Sequence, residues 1–290
     1  MSNDILKFPL RCLNRVREKI ASRHETWVTP ENYPFSPPAQ RGAMLDWVLN
    51  SEKGFAAFFR PRCGSTSVTM WFFANMGYRL RGVSVAAFRK DWVDTHREEL
   101  EQGLEKNWDS LHKFVVVRDP FDRAVSSYLH TVNYPSEAQL KNLSTVLGPD
   151  VTEKNLTFRQ FMHFLQQVDF DNMASIWRRQ STLSCWERGG VDDVVRLERM
   201  NEYLHSLNKK YGFRHEPTYN SVTVPEGEHV RQAGKECFAD IPFSELLAYK
   251  QGAVFKSFPY YSEFYDNELR QILSDVFADD LDIYENANIR

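Results

Sequence analysis

Short apolar runs alternate along this chain with stretches in which apolar residues recur every three or four positions. Phe55-Ala56-Ala57-Phe58-Phe59 has no polar residue, as suits a strand buried on both faces. After the loop Arg60–Ser67, Val68, Trp71 and Phe72 recur at helical spacing, and Gly77 is placed to end that helix. The pattern then repeats. Lys113-Phe114-Val115-Val116-Val117 predicts a β-branched buried strand, Arg118-Asp119-Pro120 ends it, and proline at a first turn opens a helix over Phe121–Leu129. Thr157 and Gln160 form a capping box ahead of Phe161, Met162 and Leu165. Val191–Leu197 predicts a third strand. Met200, Tyr203, Leu204, Leu207 and Tyr211 then share a helix face that stops at Gly212. Near the C-terminus Asp266 caps a helix with Leu269, Ile272, Leu273, Val276 and Phe277 turned inward. Buried strands alternating with amphipathic helices predict an α/β layer fold: a central, mainly parallel sheet flanked by helices.

Residues 1–50 read as a peripheral N-terminal arm. Ile5, Phe8, Leu10, Leu13 and Val16 are scattered among basic residues, and four prolines fall between Thr29 and Pro38. Residues 51–290 read as a single α/β domain. At 290 residues the chain is long enough to bury roughly three quarters of its unfolded surface. With 42% hydrophobic and 26% charged residues it has neither a disordered nor a membrane composition, and no stretch approaches the ~20 apolar residues of a spanning helix. The net charge of -3 weighs against a nucleic-acid partner. Cys12, Cys63, Cys185 and Cys237 form no CxxC pair, so neither a zinc site nor a disulfide scaffold is expected. The charged N-terminus has no secretory h-region, which predicts a reducing, cytoplasmic setting. The sequons at Asn142 and Asn155 then carry little weight.

In open α/β sheets, ligands bind at the carboxyl ends of strands, where both unusual loops fall. A strand turning into a helix through Gly64-Ser65-Thr66-Ser67 offers backbone N–H groups at a positive helix end, and Arg60 and Arg62 add charge. This is not a Walker A loop: Phe59 stands where GxxxxGK[ST] needs its first glycine, and Ser65 where it needs lysine. The strand before the second loop ends in Arg118 rather than a magnesium-binding Asp. The expected ligand is a phosphate-type anion neutralised by arginine. In the second loop Arg118 sits at the strand end, and Arg123 and Ser126 are i, i+3 neighbours able to hold a second phosphate. The blander alternatives are a helix N-terminus that happens to carry hydroxyls and an ordinary surface Arg–Asp pair.

Together the two loops resemble the sulfotransferase superfamily, whose donor is 3′-phosphoadenosine 5′-phosphosulfate (PAPS) and whose product is 3′-phosphoadenosine 5′-phosphate (PAP). Arg60-Pro61-Arg62-Cys63-Gly64-Ser65-Thr66-Ser67 resembles its 5′-phosphosulfate loop, commonly PKxGSTS. Arg118-Asp119-Pro120-Phe121-Asp122-Arg123-Ala124-Val125-Ser126-Ser127-Tyr128 resembles its 3′-phosphate motif, RDPxxRxxSxY. The later chain is similar to the carbohydrate branch, sulfotransferase family 2: Glu198-Arg199-Met200 stands where E-x-L is common, and Tyr261, Phe264, Tyr265, Glu268 and Leu269 match its C-terminal segment. Phe277, Asp280 and Tyr284 match it loosely, and the likeness runs over about residues 54–285. It implies a P-loop-like three-layer fold. It also implies donor contacts from Arg60, Arg62, Cys63, Gly64, Ser65, Thr66, Ser67, Arg118 and Ser126, no metal, and a glycan or small-molecule acceptor. Arg62 replaces the common lysine, which keeps the charge but not the compact ammonium. No signal anchor is expected from the N-terminal sequence, which would be a second departure from that branch, whose enzymes are of the Golgi.

Sulfuryl transfer, like phosphoryl transfer, needs charge stabilisation at the leaving oxygen, a positioned donor and a base for the acceptor hydroxyl. The first falls to Arg62. The resemblance implies a catalytic His or Glu about twenty residues before Arg118, where His96 stands. An unperturbed imidazole titrates near 6.5, which suits this role. Glu98 and Glu99 are rivals, His112 and His130 weaker ones. Arg178-Arg179-Gln180 is a candidate acceptor grip or simply a solvated charge run. The competing functions are a P-loop nucleotide kinase and a non-catalytic nucleotide-binding protein on the same fold.

Overall fold

The computed structural model describes residues 26–35, 45–169, 173–215, 237–246 and 259–287. The apolar positions Ile5–Val16 and Cys12 lie outside them. Strands β1 (Thr26–Val28), β2 (Trp47–Asn50), β3 (Phe55–Phe59), β4 (Tyr78–Leu80), β5 (His112–Val117) and β6 (Asp193–Arg196) are interleaved with helices. The helices are α1 (Ser65–Asn75), α2 (Val85–Asn107), α3 (Pro120–Asn133), α4 (Glu137–Leu147), α5 (Phe158–Gln167), α6 (Ser184–Glu187), α7 (Met200–Tyr211), α8 (Asn267–Val276) and α9 (Ala278–Glu285). Strands β2, β3, β5 and β6 form a sheet in that order, and β1 and β4 form a second, parallel pair. The fold is mixed α/β, with a central sheet flanked by helices.

The chain divides into two compact units, each drawn from three stretches. One comprises Met1–Ala56, Thr66–Leu111 and Asn201–Tyr219; the other Ala57–Ser65, His112–Met200 and Asn220–Arg290.

The first unit is built on aromatic packing. Phe55 lies against Trp71 and Phe213 at ring-centre distances of 5.7 and 5.9 Å, and Phe73 packs edge-on against Phe88 at 4.9 Å and Trp92 at 5.3 Å. The buried indole N–H of Trp71 donates to Asn208 Oδ1 at 2.8 Å, so this interior leaves that donor satisfied. Trp47, Val48 and Leu49 lie within the stretch read as a peripheral arm; they are buried and form β2. Helix α2 is capped by Ser84, whose hydroxyl accepts from the Ala87 N–H. It is not continuous: His96 has φ -116° and ψ 16°, which kinks it midway.

The second unit contains the second anion loop and the first as far as Ser65. β5 and β6 run parallel, with Val115 opposite Val194 and Val117 opposite Arg196. All of Phe114–Val117 are fully buried, as their apolar run requires. Helix α3 follows β5 at once. Asp119 caps it by accepting from the N–H groups of Phe121 and Asp122, and Pro120 takes the first turn. The inner face of α3 carries Ala124, Val125, Tyr128 and Val132 into a cluster with Phe158, Phe161, Trp177, Phe264 and Leu269. The Thr157–Gln160 capping box and the Asp266 cap both form as expected.

Candidate active site

The loop between β3 and α1 is shaped by two residues in left-handed backbone. Gly64 has φ +73°, and a Cβ there would meet Leu197 Cδ1 at 2.6 Å and Met200 Sδ at 2.9 Å, so glycine is required on both backbone and steric grounds. Arg62 has φ 71°, a conformation that an L side chain adopts at a cost of roughly 1–2 kcal/mol. That turn aims its guanidinium at the second loop: Arg62 Nε donates to Ser126 Oγ at 2.9 Å. Arg118 Nη1 in turn donates to the Arg62 carbonyl at 3.2 Å. Two motifs separated by more than fifty residues therefore meet at Arg62, Arg118 and Ser126.

The meeting point is basic. Ser126 is 1% exposed. The Arg118 guanidinium lies over the Tyr261 ring at 5.4 Å, and its nearest carboxylate, Asp122, is 3.9 Å away. Arg118 Nε is buried and has no hydrogen-bond partner among the described residues. Burial pulls the Arg62 guanidinium below its ordinary value; Tyr261 opposes this, and the positive charges of Arg118 and Arg123 reinforce it. Burial raises the Asp122 carboxyl against the pull of Arg118. Crowded, partly desolvated guanidiniums with a buried unpaired N–H fit a bound polyanion. Beside them α1 begins at Ser65, and the first N–H groups of a helix have no partner within it.

Not every expected contact residue faces this centre. Arg60 is 5% exposed and turns into the carbonyls of Arg179 and Thr182, donating from Nε to Arg179 O at 3.1 Å and also to Thr182 O and Oγ1. Arg123, expected to converge with Ser126, is 2% exposed and donates to the carbonyls of Ile176 at 3.3 Å and Arg178 at 2.6 Å. Cys63 is buried, its thiol raised by that burial, with Sγ 3.0 Å from Gln180 Oε1. Thr66 is exposed, Ser65 half-buried and Ser67 buried. Gln180 is fully buried, which removes it from any grip on an acceptor; Arg178 donates to Met173 O and Arg179 pairs with Asp279 at 3.7 Å.

Two histidines need separate accounts. His96, in the first unit, has Nδ1 2.8 Å from the Trp92 carbonyl. A carbonyl only accepts, so Nδ1 carries the proton and Nε2 of the neutral ring carries the lone pair. His130, in the second unit, follows Ser126 by one helical turn. Its Nδ1 is buried without a partner among the described residues, and burial and then the charge of Arg62 lower its pKa. The i, i+4 spacing from Ser126 is the sequence signal that places it there. Glu98 and Glu99 lie on α2 beyond the kink, and His112 pairs with Asp193 at 3.3 Å.

Among the described residues no cluster of three His, Cys, Asp or Glu side chains is placed to hold a metal, and no helix is long and apolar enough to cross a membrane. No curated protein and no solved structure matches the chain. Residues 48–286 match the model of the sulfotransferase family, a span that takes in both loops, Arg62, Arg118, Ser126 and both histidines, and the chain belongs to that family.

Proposed function

We propose that this protein transfers a sulfuryl group from PAPS to an acceptor hydroxyl, of a glycan or a small molecule, on a P-loop-like three-layer form of its α/β fold. The observation that carries the proposal is the junction of the two loops, where Arg62 bonds Ser126 and Arg118 bonds the Arg62 carbonyl. It suits a donor with separated phosphates. Arg118, through its unpaired Nε, and Ser126 would hold the 3′-phosphate; Arg62 and the N–H groups from Gly64 to Ser67 would hold the 5′ end. The donor supplies an activated sulfuryl group with a phosphate as leaving group. Arg62 and the α1 N-terminus stabilise the charge that gathers on the leaving oxygen, and they are in place before reaction, so little reorganisation is needed.

The acceptor's proton needs a base. His96 is our candidate, supported by a tautomer that leaves Nε2 as the accepting nitrogen and by a helix that breaks at that residue. His130 is the second candidate, favoured by its unpaired Nδ1 one turn from Ser126.

Incubation with ³⁵S-labelled PAPS and a panel of sugars, alcohols and phenols tests the function. Label is expected to move to at least one hydroxyl acceptor, or to water slowly, and to stop moving in Arg62→Ala. Loss of the base should lower turnover by roughly 100-fold or more with PAP affinity nearly unchanged, and comparing His96→Ala with His130→Ala identifies it. Label that moves equally in Arg62→Ala, or magnesium-dependent phosphoryl transfer from ATP instead, would refute the proposal.

A further inference from the structure

The two loops are joined by a third segment, the Arg178-Arg179-Gln180 run whose sequence suggests only an acceptor grip or a solvated charge run. Gln180 is 0% exposed. Its Oε1 accepts from the Arg118 N–H at 2.8 Å and from the Cys63 thiol at 3.0 Å, while its Nε2 donates to the Arg118 carbonyl at 2.9 Å. The amide orientation is forced, because the Arg118 N–H can only donate and its carbonyl can only accept. Gln180 thus pairs with Arg118 as a neighbouring strand would, just beyond the end of β5, and through the same Oε1 it holds Cys63, the residue next to Gly64. Gln180 is itself fixed from behind. The fully buried Asp280 accepts from the N–H groups of Gln180 at 2.8 Å and Ser181 at 2.7 Å, and Trp186 Nε1 donates to the Gln180 carbonyl at 3.0 Å. Arg60 braces the flanking residues Arg179 and Thr182.

We propose that Gln180 is a positioning residue that sets the spacing between the two anion sites, so that one ligand bearing both phosphates is held by both loops at once. This rests on the PAPS reading above. A ligand that spans two sites gains from the second only when their separation matches its own, and errors of about 1 Å can reduce such gains by about 100-fold. A ligand that uses one site has no such requirement. Gln180 should therefore govern the preference for PAP over singly phosphorylated nucleotides more than it governs affinity for either phosphate alone.

The test is calorimetry with PAP, 5′-AMP and 3′-AMP on the wild-type chain and on Gln180→Met, which keeps the volume and removes the amide. The expected result is a loss of PAP affinity approaching 100-fold in Gln180→Met, with AMP affinities changed by no more than a few-fold. Cys63→Ala, which cuts only the link to the first loop, should lose PAP affinity in the same selective way but less. Cys63→Ser, which restores a donor to Oε1, should recover it. If the wild-type protein binds PAP no better than 5′-AMP, the donor reading falls and this inference with it. If the wild type prefers PAP and both Gln180→Met and Cys63→Ala keep that preference, the positioning role alone is overturned. An equal loss for all three nucleotides in Gln180→Met also overturns it, since that is the mark of general damage to the fold.

Discussion

Replacing Gly64 by alanine should destabilise this protein by two separable effects. The first is backbone: at φ +73° an L residue costs roughly 1–2 kcal/mol. The second is steric. The new Cβ would lie 2.6 Å from Leu197 Cδ1 and 2.9 Å from Met200 Sδ, and both side chains are buried, at 6% and 0% exposure. Overpacking of this kind typically costs about 1–3 kcal/mol; because the clashing atoms lie at or one bond from the ends of flexible side chains, the lower part of that range applies. The sum is about 2–3 kcal/mol. Gly54 is the internal control, since it has φ +69° but nothing within 4 Å of its added Cβ, so Gly54→Ala should show the backbone effect alone. Urea unfolding of both variants gives the difference, expected at about 1 kcal/mol or more in the direction of Gly64→Ala. Adding Leu197→Ala should make the double variant less destabilised than the two single losses summed, because the truncated side chain leaves room for the methyl. A Gly64→Ala protein no less stable than Gly54→Ala, or strict additivity with Leu197→Ala, would refute the claim that this loop is packed tightly against the segment after β6.

Arg118→Ala should weaken PAP binding by about 10- to 100-fold, the range expected for losing a charge-assisted bond worth about 1.5–3 kcal/mol, with little change in melting temperature; unchanged affinity in a folded variant removes Arg118 from the site. Arg62→Gly should be more stable than Arg62→Ala by about 1 kcal/mol, because only glycine relieves the positive φ, while both variants bind PAP weakly; equal stability would show that the backbone at Arg62 is not strained. His130 should titrate below the ordinary histidine value of about 6.5, so any stability it contributes is present above that pH and is lost as pH falls toward its folded pKa. PAP bound beside Arg62 should raise that pKa, which histidine NMR with His130→Gln for assignment would record; a pKa indifferent to PAP would separate His130 from the anion site.

The strands and the loops that follow them were legible because their signals are local. Phe55–Phe59 is apolar at every position and became β3 with the expected bounds, and the Thr157–Gln160 box needs only residues three apart. Both anion loops could be found for the same reason. The kink at His96 left no mark that a helical pattern would reveal, and α4 carried its own capping box at Ser136 and Gln139, a signal open to the same reading as Thr157. β2 escaped because proline-rich sequence around Thr29–Pro38 made its whole neighbourhood look peripheral, although Trp47-Val48-Leu49 is an apolar run. Arginine roles were the least legible. Arg60, Arg62, Arg118 and Arg123 look alike in sequence, yet Arg60 and Arg123 bond carbonyls of residues 176–182, while Arg62 bonds Ser126 and Arg118 bonds the Arg62 carbonyl. The clamp at Gln180 could not be read at all, because its partners Arg118 and Cys63 lie 62 and 117 residues away. Asp280 and Arg60, also remote in sequence, and the nearby Trp186 hold the segment in place.

The claim on which the rest depends is that two anion sites act on one nucleotide without a metal, and the affinity of the wild-type protein for PAP, measured by calorimetry beside AMP and ATP with and without EDTA, tests it most directly. The account predicts that PAP binds at least tenfold more tightly than AMP, since the second phosphate adds a charge-assisted contact to Arg118, and that EDTA changes nothing. Equal affinity for PAP and AMP, or binding that requires magnesium, would contradict it.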